Sequence, residues 1–441
     1  MAEILPIKAW RYSTGLNSQI EELSSPLFDV VSPKQREALY KNPHNSIHLS
    51  VPKGPNPAQQ AKFTLESWKS NGVIQQDRIP GIYVYYQYFR LPGQEREMCR
   101  KGFIINIKAY DWDEKIILRH ENTIAKAVND RIELLKETGF QSSPTHGLYT
   151  DPEHVLEKYM DQAITDPLYD IEDYQGVREK LGVIHDARII SEFIHTLREK
   201  KIILADGHHR YEGALSYRKE MMANNPSHNG NEAYNYHMMY LTNAETKDLR
   251  ILPTHRVFQN LNLSEEEILS RLEKDFIIKT LNDPQEIEEL ILHKQWAFGL
   301  IFTEAAYKIR LKPEKFVEFT HDLPDAVKNL DLSILHFFFI ERILGIPMEE
   351  QRFSDQIDYE RNLSRCHLKI SKGEADFAVI TKEISMKEVM RVCESGSVMP
   401  QKSTYFYPKA LSGLIFGSIL QEDFEFPYEL FEKNVNTISS L

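Results

Sequence analysis

A run of apolar residues followed by a helical pattern marks the centre of the chain. Residues 202–205 are apolar, which is typical of the end of a buried strand. From His208 onward, apolar side chains recur at three- and four-residue spacing, which predicts an α-helix. Asp206 and Gly207 lie between the two patterns, and glycine accepts backbone angles that other residues adopt only at a cost. The sequence therefore predicts a strand, a tight turn and a helix.

Similar patterns predict the elements around this centre. Residues 81–90 and 100–108 are rich in β-prone residues and predict a β-hairpin. An apolar stripe over residues 123–139 predicts a helix with a terminating glycine, and residues 236–241 predict another buried strand. A short strand is predicted near Ile47.

From about residue 260 the pattern changes to amphipathic helices and short strands. Helices are predicted over residues 265–274, 284–293 and 332–344, and strands over 296–302, 306–311 and 376–380. We therefore predict an α+β fold with mixed sheets, divided into three regions. These are a β-rich N-terminal region (1–115), a central core (116–258) and a C-terminal α+β region (259–441).

Composition narrows the function classes. The 441 residues carry a formal net charge of −12, which argues against a surface that coats nucleic acid. The three cysteines are widely spaced, which indicates a reducing compartment without a disulfide framework. The sequence has no signal-peptide pattern and no apolar run of about 18 residues, so we expect a cytoplasmic protein without a membrane span.

Residues that could catalyse a reaction or bind a ligand are most concentrated at the predicted turn. Asp206, Gly207, His208, His209 and Arg210 follow one another where the strand meets the helix. A helix N-terminus offers backbone N–H donors and the positive end of its dipole, so it favours anions such as phosphate. A single Asp or His at such a turn is more often a cap, but four polar side chains around one glycine favour a functional site.

Other candidates lie before and after this turn. Glu121 precedes the helix predicted from residue 123, where it either interacts with the helix dipole or acts as a general base. His120 precedes it, and Asp29 lies between two prolines, where a cap is the simpler interpretation. His255 and Arg256 emerge from a strand-like run and are further candidates.

A second polar cluster lies near the end of the chain. Residues 399–409 place Lys402, Ser403, Thr404 and Lys409 in a loop bounded by prolines. The loop is either a solvated polar loop or a phosphate clamp, because lysine supplies charge and the hydroxyls donate hydrogen bonds.

These segments resemble the prokaryotic family called domain of unknown function 1015. The matching segments are residues 25–32, 119–121, 205–215, 252–256 and 399–409. Where many relatives have Pro-Pro-Tyr-Asp, this chain has Pro26-Leu27-Phe28-Asp29, which keeps the acid and loses the phenol.

The strand followed by Asp-Gly-His-His-Arg and a helix also resembles the nucleotide-binding signature of the ParB/sulfiredoxin superfamily. Its free serine kinases have a similar Asp-Gly-His-x-Arg segment, with a glutamate ahead of an earlier helix. The order here is similar, with Glu121 before its helix and Asp206 to Arg210 after a later strand. The resemblance implies a nucleotide-binding core and kinase-like chemistry.

Together these features predict a phosphotransferase that acts between an adenine nucleotide and a small hydroxy compound. Free L-serine or O-phosphoserine is the first candidate, with Mg²⁺ and ATP or ADP as cofactors. Glu121 and Asp206 are the predicted catalytic residues, and Asp206 is also the predicted metal ligand. Residues 207–210 and the loop at 402–409 would bind phosphate.

Two alternatives stay open. A metal-dependent hydrolase would hold Zn²⁺ or Mn²⁺ through Asp206, His208 and His209, with His120 or His255 as a further ligand. Against it, adjacent helical histidines point about 100° apart. A non-catalytic nucleotide-binding module would need no acceptor. Neither the direction of transfer nor the oligomeric state follows from the sequence, and we expect neither nucleic-acid nor membrane partners.

Overall fold

The structure is a computed structural model that describes residues 1–427, 429 and 430. Its strands are β1 (Ile4–Leu5), β2 (Trp10–Tyr12), β3 (Ile74–Gln76), β4 (Ile82–Phe89), β5 (Met98–Lys108), β6 (Ile117–Leu118), β7 (Phe140–Gln141), β8 (Thr145–Tyr149), β9 (Tyr169–Glu172), β10 (Arg178–Ile184), β11 (Ile202–Asp206), β12 (Tyr236–Asn243), β13 (Arg250–Ile251), β14 (His255–Phe258), β15 (Phe276–Leu281), β16 (Ala297–Ile301), β17 (Ala306–Leu311), β18 (Ile357–Glu360), β19 (Phe377–Ile380), β20 (Phe406–Tyr407) and β21 (Gly417–Ser418).

The α-helices are α1 (Ile20–Leu23), α2 (Pro33–Leu39), α3 (Ile47–Ser50), α4 (Pro57–Ser70), α5 (Ala125–Thr138), α6 (Glu157–Ala163), α7 (Ala187–Arg198), α8 (His208–Asn224), α9 (Glu265–Leu272), α10 (Ile287–Leu292), α11 (Asp325–Lys328), α12 (Asp331–Ile334), α13 (Leu363–Ser371) and α14 (Met386–Glu394). Seven short 3₁₀ segments and one π-helical segment, Leu335–Glu341, complete the described elements. The α+β class with mixed sheets is therefore confirmed.

The chain forms two compact units. The first contains Met1–Arg119, Thr123–Leu249 and Pro408–Leu441, and the second contains His120–Asn122 and Arg250–Tyr407. The chain thus enters the second unit briefly at residues 120–122 before the main crossing at residue 250.

A nine-stranded mixed sheet organises the first unit. Its order is β6-β11-β8-β12-β5-β4-β10-β9, and β1 pairs with β5. The predicted hairpin is confirmed as the antiparallel pair β4–β5. All eight residues of β12 are buried, as expected for a strand covered on both faces. The predicted boundary between residues 115 and 116 falls inside this sheet, because β5 pairs with β12 across it.

Helices α5 and α8 of the first unit pack against each other, and α8 begins directly after the central turn. Helix α5 ends at Gly139, whose φ of 62° suits glycine, as predicted. The strand predicted near Ile47 is wrong, because this segment is helix α3. The Asn45 side chain accepts from the Ile47 N–H at 2.9 Å and so favours a turn there over an extended strand.

The second unit contains a six-stranded antiparallel sheet in the order β15-β17-β16-β19-β14-β18. The helix predicted over residues 332–344 is confirmed in part, but it is not α-helical throughout. Helix α12 is followed by the π-helical segment, whose residues 335–340 are all buried. A wider π turn changes which side chains share a face. The surrounding aromatic core contains all of these six residues except His336, which shares a hydrogen bond with Gln351. In the described part of the chain, no helix is both long and apolar enough to cross a membrane.

Candidate functional site

The predicted strand, turn and helix are confirmed at the centre of the first unit. Strand β11 ends at Asp206, and the 17-residue helix α8 begins at His208. Gly207 has a φ of 87°, and a Cβ atom there would lie 2.7 Å from Cγ2 of Thr145. Both the backbone angle and the close approach therefore require glycine at this position.

Two cations hold the carboxylate of Asp206. Arg210 Nη2 donates to Oδ2 at 2.9 Å, and Lys409 Nζ forms an ion pair with Oδ1. All three side chains are buried, with exposed fractions of 9% to 11%. Burial by itself would raise the pKa of Asp206, but the charges of Lys409 and Arg210 outweigh it and hold the pKa well below its ordinary value. Asp206 is therefore a permanent anion between two cations.

Further contacts fix the Arg210 guanidinium. Nη1 donates to Ser143 Oγ at 2.9 Å and to the Pro144 carbonyl at 2.6 Å. Beside it, His146 lies opposite Asp206 in the β8–β11 register. Burial, and then the nearby positive charges, hold the pKa of His146 well below its ordinary value, so this ring is neutral at pH 7.

A buried polar network holds the backbone around Lys409. Gln87 Nε2 donates to the Lys409 carbonyl at 3.0 Å, and Arg100 donates to the Pro408 carbonyl. Gln87 Nε2 also donates to Glu179 Oε1 at 3.1 Å. Burial raises the pKa of Glu179 to about 8, so this carboxyl is mostly protonated at pH 7. The network thus fixes the segment that brings Lys409 to Asp206, 203 positions away in sequence.

The other first-unit candidates lie around the same turn. His208 is buried at the start of α8. His209 Nε2 accepts from the Ile124 N–H at 3.0 Å, so this imidazole caps the beginning of α5. Asp29 is exposed, just ahead of α2.

The second unit contains the remaining candidates of the polar loop. His120 Nε2 and Thr404 Oγ1 share a hydrogen bond of 2.8 Å, and the Met399 N–H donates to the His120 carbonyl. Ser403 Oγ donates to the Pro400 carbonyl. Glu121, Lys402, Ser403 and Thr404 therefore belong to this unit, whereas Lys409 belongs to the first.

His255 and Arg256 are buried in the second unit. His255 Nδ1 accepts from the Thr381 N–H at 3.2 Å, and burial lowers the pKa of His255 to about 4. Arg256 donates to the carbonyls of Thr254 and Gln401, and burial lowers its pKa to about 10. Through these hydrogen bonds, His255 and Arg256 hold neighbouring backbone segments in place.

Among the residues that the structure describes, no group of three or more His, Cys, Asp or Glu side chains is placed to hold a metal. At Asp206, Lys409 and Arg210 engage both carboxylate oxygens. The side chains around Asp206 thus do not fit a protein-held Mg²⁺ or Zn²⁺, and we assign no step to a metal there.

Several residues of the site were not predicted from the sequence. Arg100, Arg131, Glu179 and His237 lie inside strand or helix patterns, and all belong to the first unit. A buried charged residue inside a largely buried strand, such as Arg100 in β5, is a signal that could have been used.

The fold and the site define a mixed α+β protein with a buried carboxylate held by two cations at the start of a long helix. The model of the family described as "Protein of unknown function (DUF1015)" matches residues 4–333, and the chain belongs to this family. The expected resemblance to this family is thereby confirmed for residues 4–333, whereas the segment 399–409 lies outside the matched residues. No curated protein matches the chain.

Solved structures show distant likenesses. A free serine kinase in complex with AMP is 16% identical, with a TM-score of 0.36 over 73% of this chain and 93% of the other. A conserved hypothetical protein from Pyrococcus furiosus is 14% identical, with a TM-score of 0.36 over 73% and 97%. SbnI with a C-terminal truncation, from Staphylococcus aureus, is 12% identical, with a TM-score of 0.36 over 76% and 95%.

Proposed function

We propose that the chain is a phosphotransferase that moves a phosphoryl group between an adenine nucleotide and a small hydroxy compound. Free L-serine, or O-phosphoserine in the reverse direction, is the first acceptor to test. One observation carries the proposal: Asp206 holds Lys409 and Arg210 together at the N-terminus of helix α8.

The charges in this cluster suit the phosphates of a nucleotide. Phosphoryl transfer requires mainly positioning of the phosphates and neutralisation of their charge. Lys409 and Arg210 carry two positive charges against the single negative charge of Asp206. Gly207, at the N-cap, has no side chain with which to cap α8, so the amides of its first turn suit phosphate oxygens. The cluster would therefore bind an anion through two cations and a helix N-terminus.

In this proposal Asp206 acts through the two cations. Its low pKa keeps it ionised at neutral pH, so it fixes Lys409 and Arg210 in place without a proton transfer of its own. This differs from the metal ligand predicted from the sequence. ATP and ADP commonly carry Mg²⁺ on their own phosphates, so a Mg²⁺-nucleotide complex remains the form to test.

In the transfer step, the acceptor oxygen would attack the γ-phosphorus while the bond to the bridging oxygen of the nucleotide breaks. The hydroxyl proton then requires a base. Glu121 is the residue predicted for that role from the sequence. Lys402, Ser403 and Thr404 likewise stay predictions, and variants of each test them in the same assay.

The test is incubation of the purified protein with ATP and L-serine, and separately with ADP and O-phosphoserine. Both products are followed by mass spectrometry, with and without Mg²⁺. Formation of ADP with O-phosphoserine, or of ATP with serine, would support the proposal. Saturable nucleotide binding without product, across a panel of hydroxy compounds, would favour the non-catalytic module. Release of inorganic phosphate from O-phosphoserine without nucleotide would favour a hydrolase.

A further inference from the structure

Four residues that line a small cavity in the first unit each have a buried polar atom without a hydrogen-bond partner in the described structure. The cavity volume is about 40 Å³, and six of its lining residues are Phe28, Ser50, Arg131, Ser143, Arg210 and His237. Within the described structure, Nε of Arg131, Nε of Arg210, Nδ1 of His237 and Oγ of Ser50 are buried without a partner. Four such atoms around one cavity are unusual, because buried polar groups are nearly always hydrogen-bonded.

Three of these side chains, those of Arg131, Arg210 and His237, come from α5, α8 and β12, and hydrogen bonds hold each of them in place. Arg131 on α5 donates through Nη1 to the Ser50 carbonyl at 2.8 Å, and its guanidinium lies 4.4 Å from the Phe28 ring centroid. Arg210 on α8 is fixed through both Nη atoms. His237 on β12 shares a hydrogen bond of 3.0 Å with Thr145 Oγ1. These three side chains are therefore held in place, and each keeps one buried nitrogen without a partner in the described structure.

The charge around the cavity is positive. Arg131 and Arg210 both line it, and Asp206 already shares its single negative charge between Arg210 and Lys409. Asp29 and Asp130 act on Arg131 electrostatically, and burial lowers the pKa of Arg131 to about 10, still well above neutral pH. The described residues that line the cavity include two arginines and no carboxylate. Burying a cation is costly, so an anion bound in the cavity would offset part of that cost.

We propose that this cavity is a binding site for a small oxyanion, a carboxylate or a phosphate group. Nε–H of Arg131 and of Arg210 would each donate to one of its oxygens, and Ser50 Oγ would add a third donor. If the Thr145 hydroxyl donates to Nε2 of His237, then Nδ1–H donates into the site as well. The volume suits a few oxygen atoms, since one water needs roughly 10–15 Å³.

The cavity lining also includes apolar side chains, among them Leu134 and Phe140. The cavity therefore suits a charged group on a small molecule better than a nucleobase. Arg210 contributes Nη2 to the Asp206 cluster and would contribute Nε to this cavity. The site goes beyond the proposed nucleotide transfer, and it stands even if no nucleotide is bound.

The test is calorimetric titration of the full chain with sodium phosphate and, separately, with sodium acetate, in chloride buffer of matched ionic strength. The variants are Arg131→Gln, which removes the charge, and Arg131→Lys, which keeps the charge but removes the Nε donor. Arg178→Gln is the control, because it removes an exposed arginine of the same unit. Circular dichroism establishes that each variant is folded.

We expect saturable binding of at least one of the two anions by the wild type and the control. The dissociation constant should rise at least tenfold, on the order of one lost charged hydrogen bond, in both Arg131 variants. Phosphate binding alone identifies a phosphate site, and acetate binding alone identifies a carboxylate site. Absence of saturable binding by either anion, or equal affinity in wild type and Arg131→Gln, would overturn the proposal and leave a water-filled cavity. ADP titrated in parallel shows separately whether the nucleotide proposal fails.

Discussion

The buried carboxyl of Glu179 should make the stability of the first unit fall as pH rises. Glu179 is 1% exposed, and burial raises its pKa from 4.5 to about 8. A group whose pKa is raised on folding contributes its full stability below the unfolded pKa. That contribution is lost as pH rises through the folded pKa. The stabilisation by Glu179 is therefore complete below about pH 4.5 and lost towards about pH 8.

The size of the effect follows from the two pKa values. A change from 4.5 to about 8 corresponds to about 5 kcal/mol over the whole range. Between pH 5.5 and 8.5 the loss is about 3 kcal/mol of unfolding free energy. Glu179→Gln keeps a polar side chain of similar size but does not titrate, so this part of the pH dependence should disappear. The unfolding free energy of the variant minus that of the wild type should therefore increase by about 3 kcal/mol between pH 5.5 and pH 8.5.

Urea unfolding followed by tryptophan fluorescence measures this difference. Trp10, Trp68 and Trp112 lie in the first unit, and only Trp296 of the four tryptophans lies in the second. Glu172→Gln is the matched control, because it removes an exposed carboxyl from the neighbouring strand β9. Parallel pH profiles for the wild type and Glu179→Gln would refute the reasoning.

Three further variants test the site. Gly207→Ala should lower the unfolding free energy by about 1–3 kcal/mol more than Gly230→Ala. Both glycines have positive φ, but of the two only Gly207 has neighbours that a Cβ atom would contact. Equal losses of unfolding free energy in urea would contradict the role of this close approach. Lys409→Met should cost about 3 kcal/mol in the same assay, because it leaves a buried carboxylate with one cation; an unchanged midpoint would show that the pair contributes nothing. Glu121→Gln should lose at least about a hundredfold in turnover while its urea midpoint stays at the wild-type value; normal turnover would remove Glu121 from the mechanism.

Local patterns predicted the elements of the central site correctly. The apolar residues before Asp206, the glycine at the turn and the helical spacing after it depend on neighbours within a few positions. The same holds for the hairpin of β4 and β5. Such features follow from backbone sterics and periodic burial, and both depend on residues that are close together in the sequence.

Contacts between distant positions could not be predicted in this way. Lys409 was selected for its charge, but its pairing with Asp206 depends on how the last segment returns to the sheet. Arg131 and His237 read as ordinary residues of a helix and a strand, and only the folded chain places both around one cavity. The π-helical segment after α12 arises from packing in an aromatic core, which a 3.6-residue period does not reveal.

The proposed function requires that Arg210 and Lys409, held by Asp206, bind the phosphates of a nucleotide. Calorimetric titration of ADP into the wild type and Arg210→Lys tests it most directly, because lysine keeps the charge but cannot reproduce the contacts of a guanidinium. Arg188→Lys is the control, since Arg188 is 93% exposed in the same unit. We predict saturable binding by the wild type and the control, with an affinity at least about tenfold lower in Arg210→Lys. Equal affinity in all three proteins, or no binding by the wild type, would contradict the account.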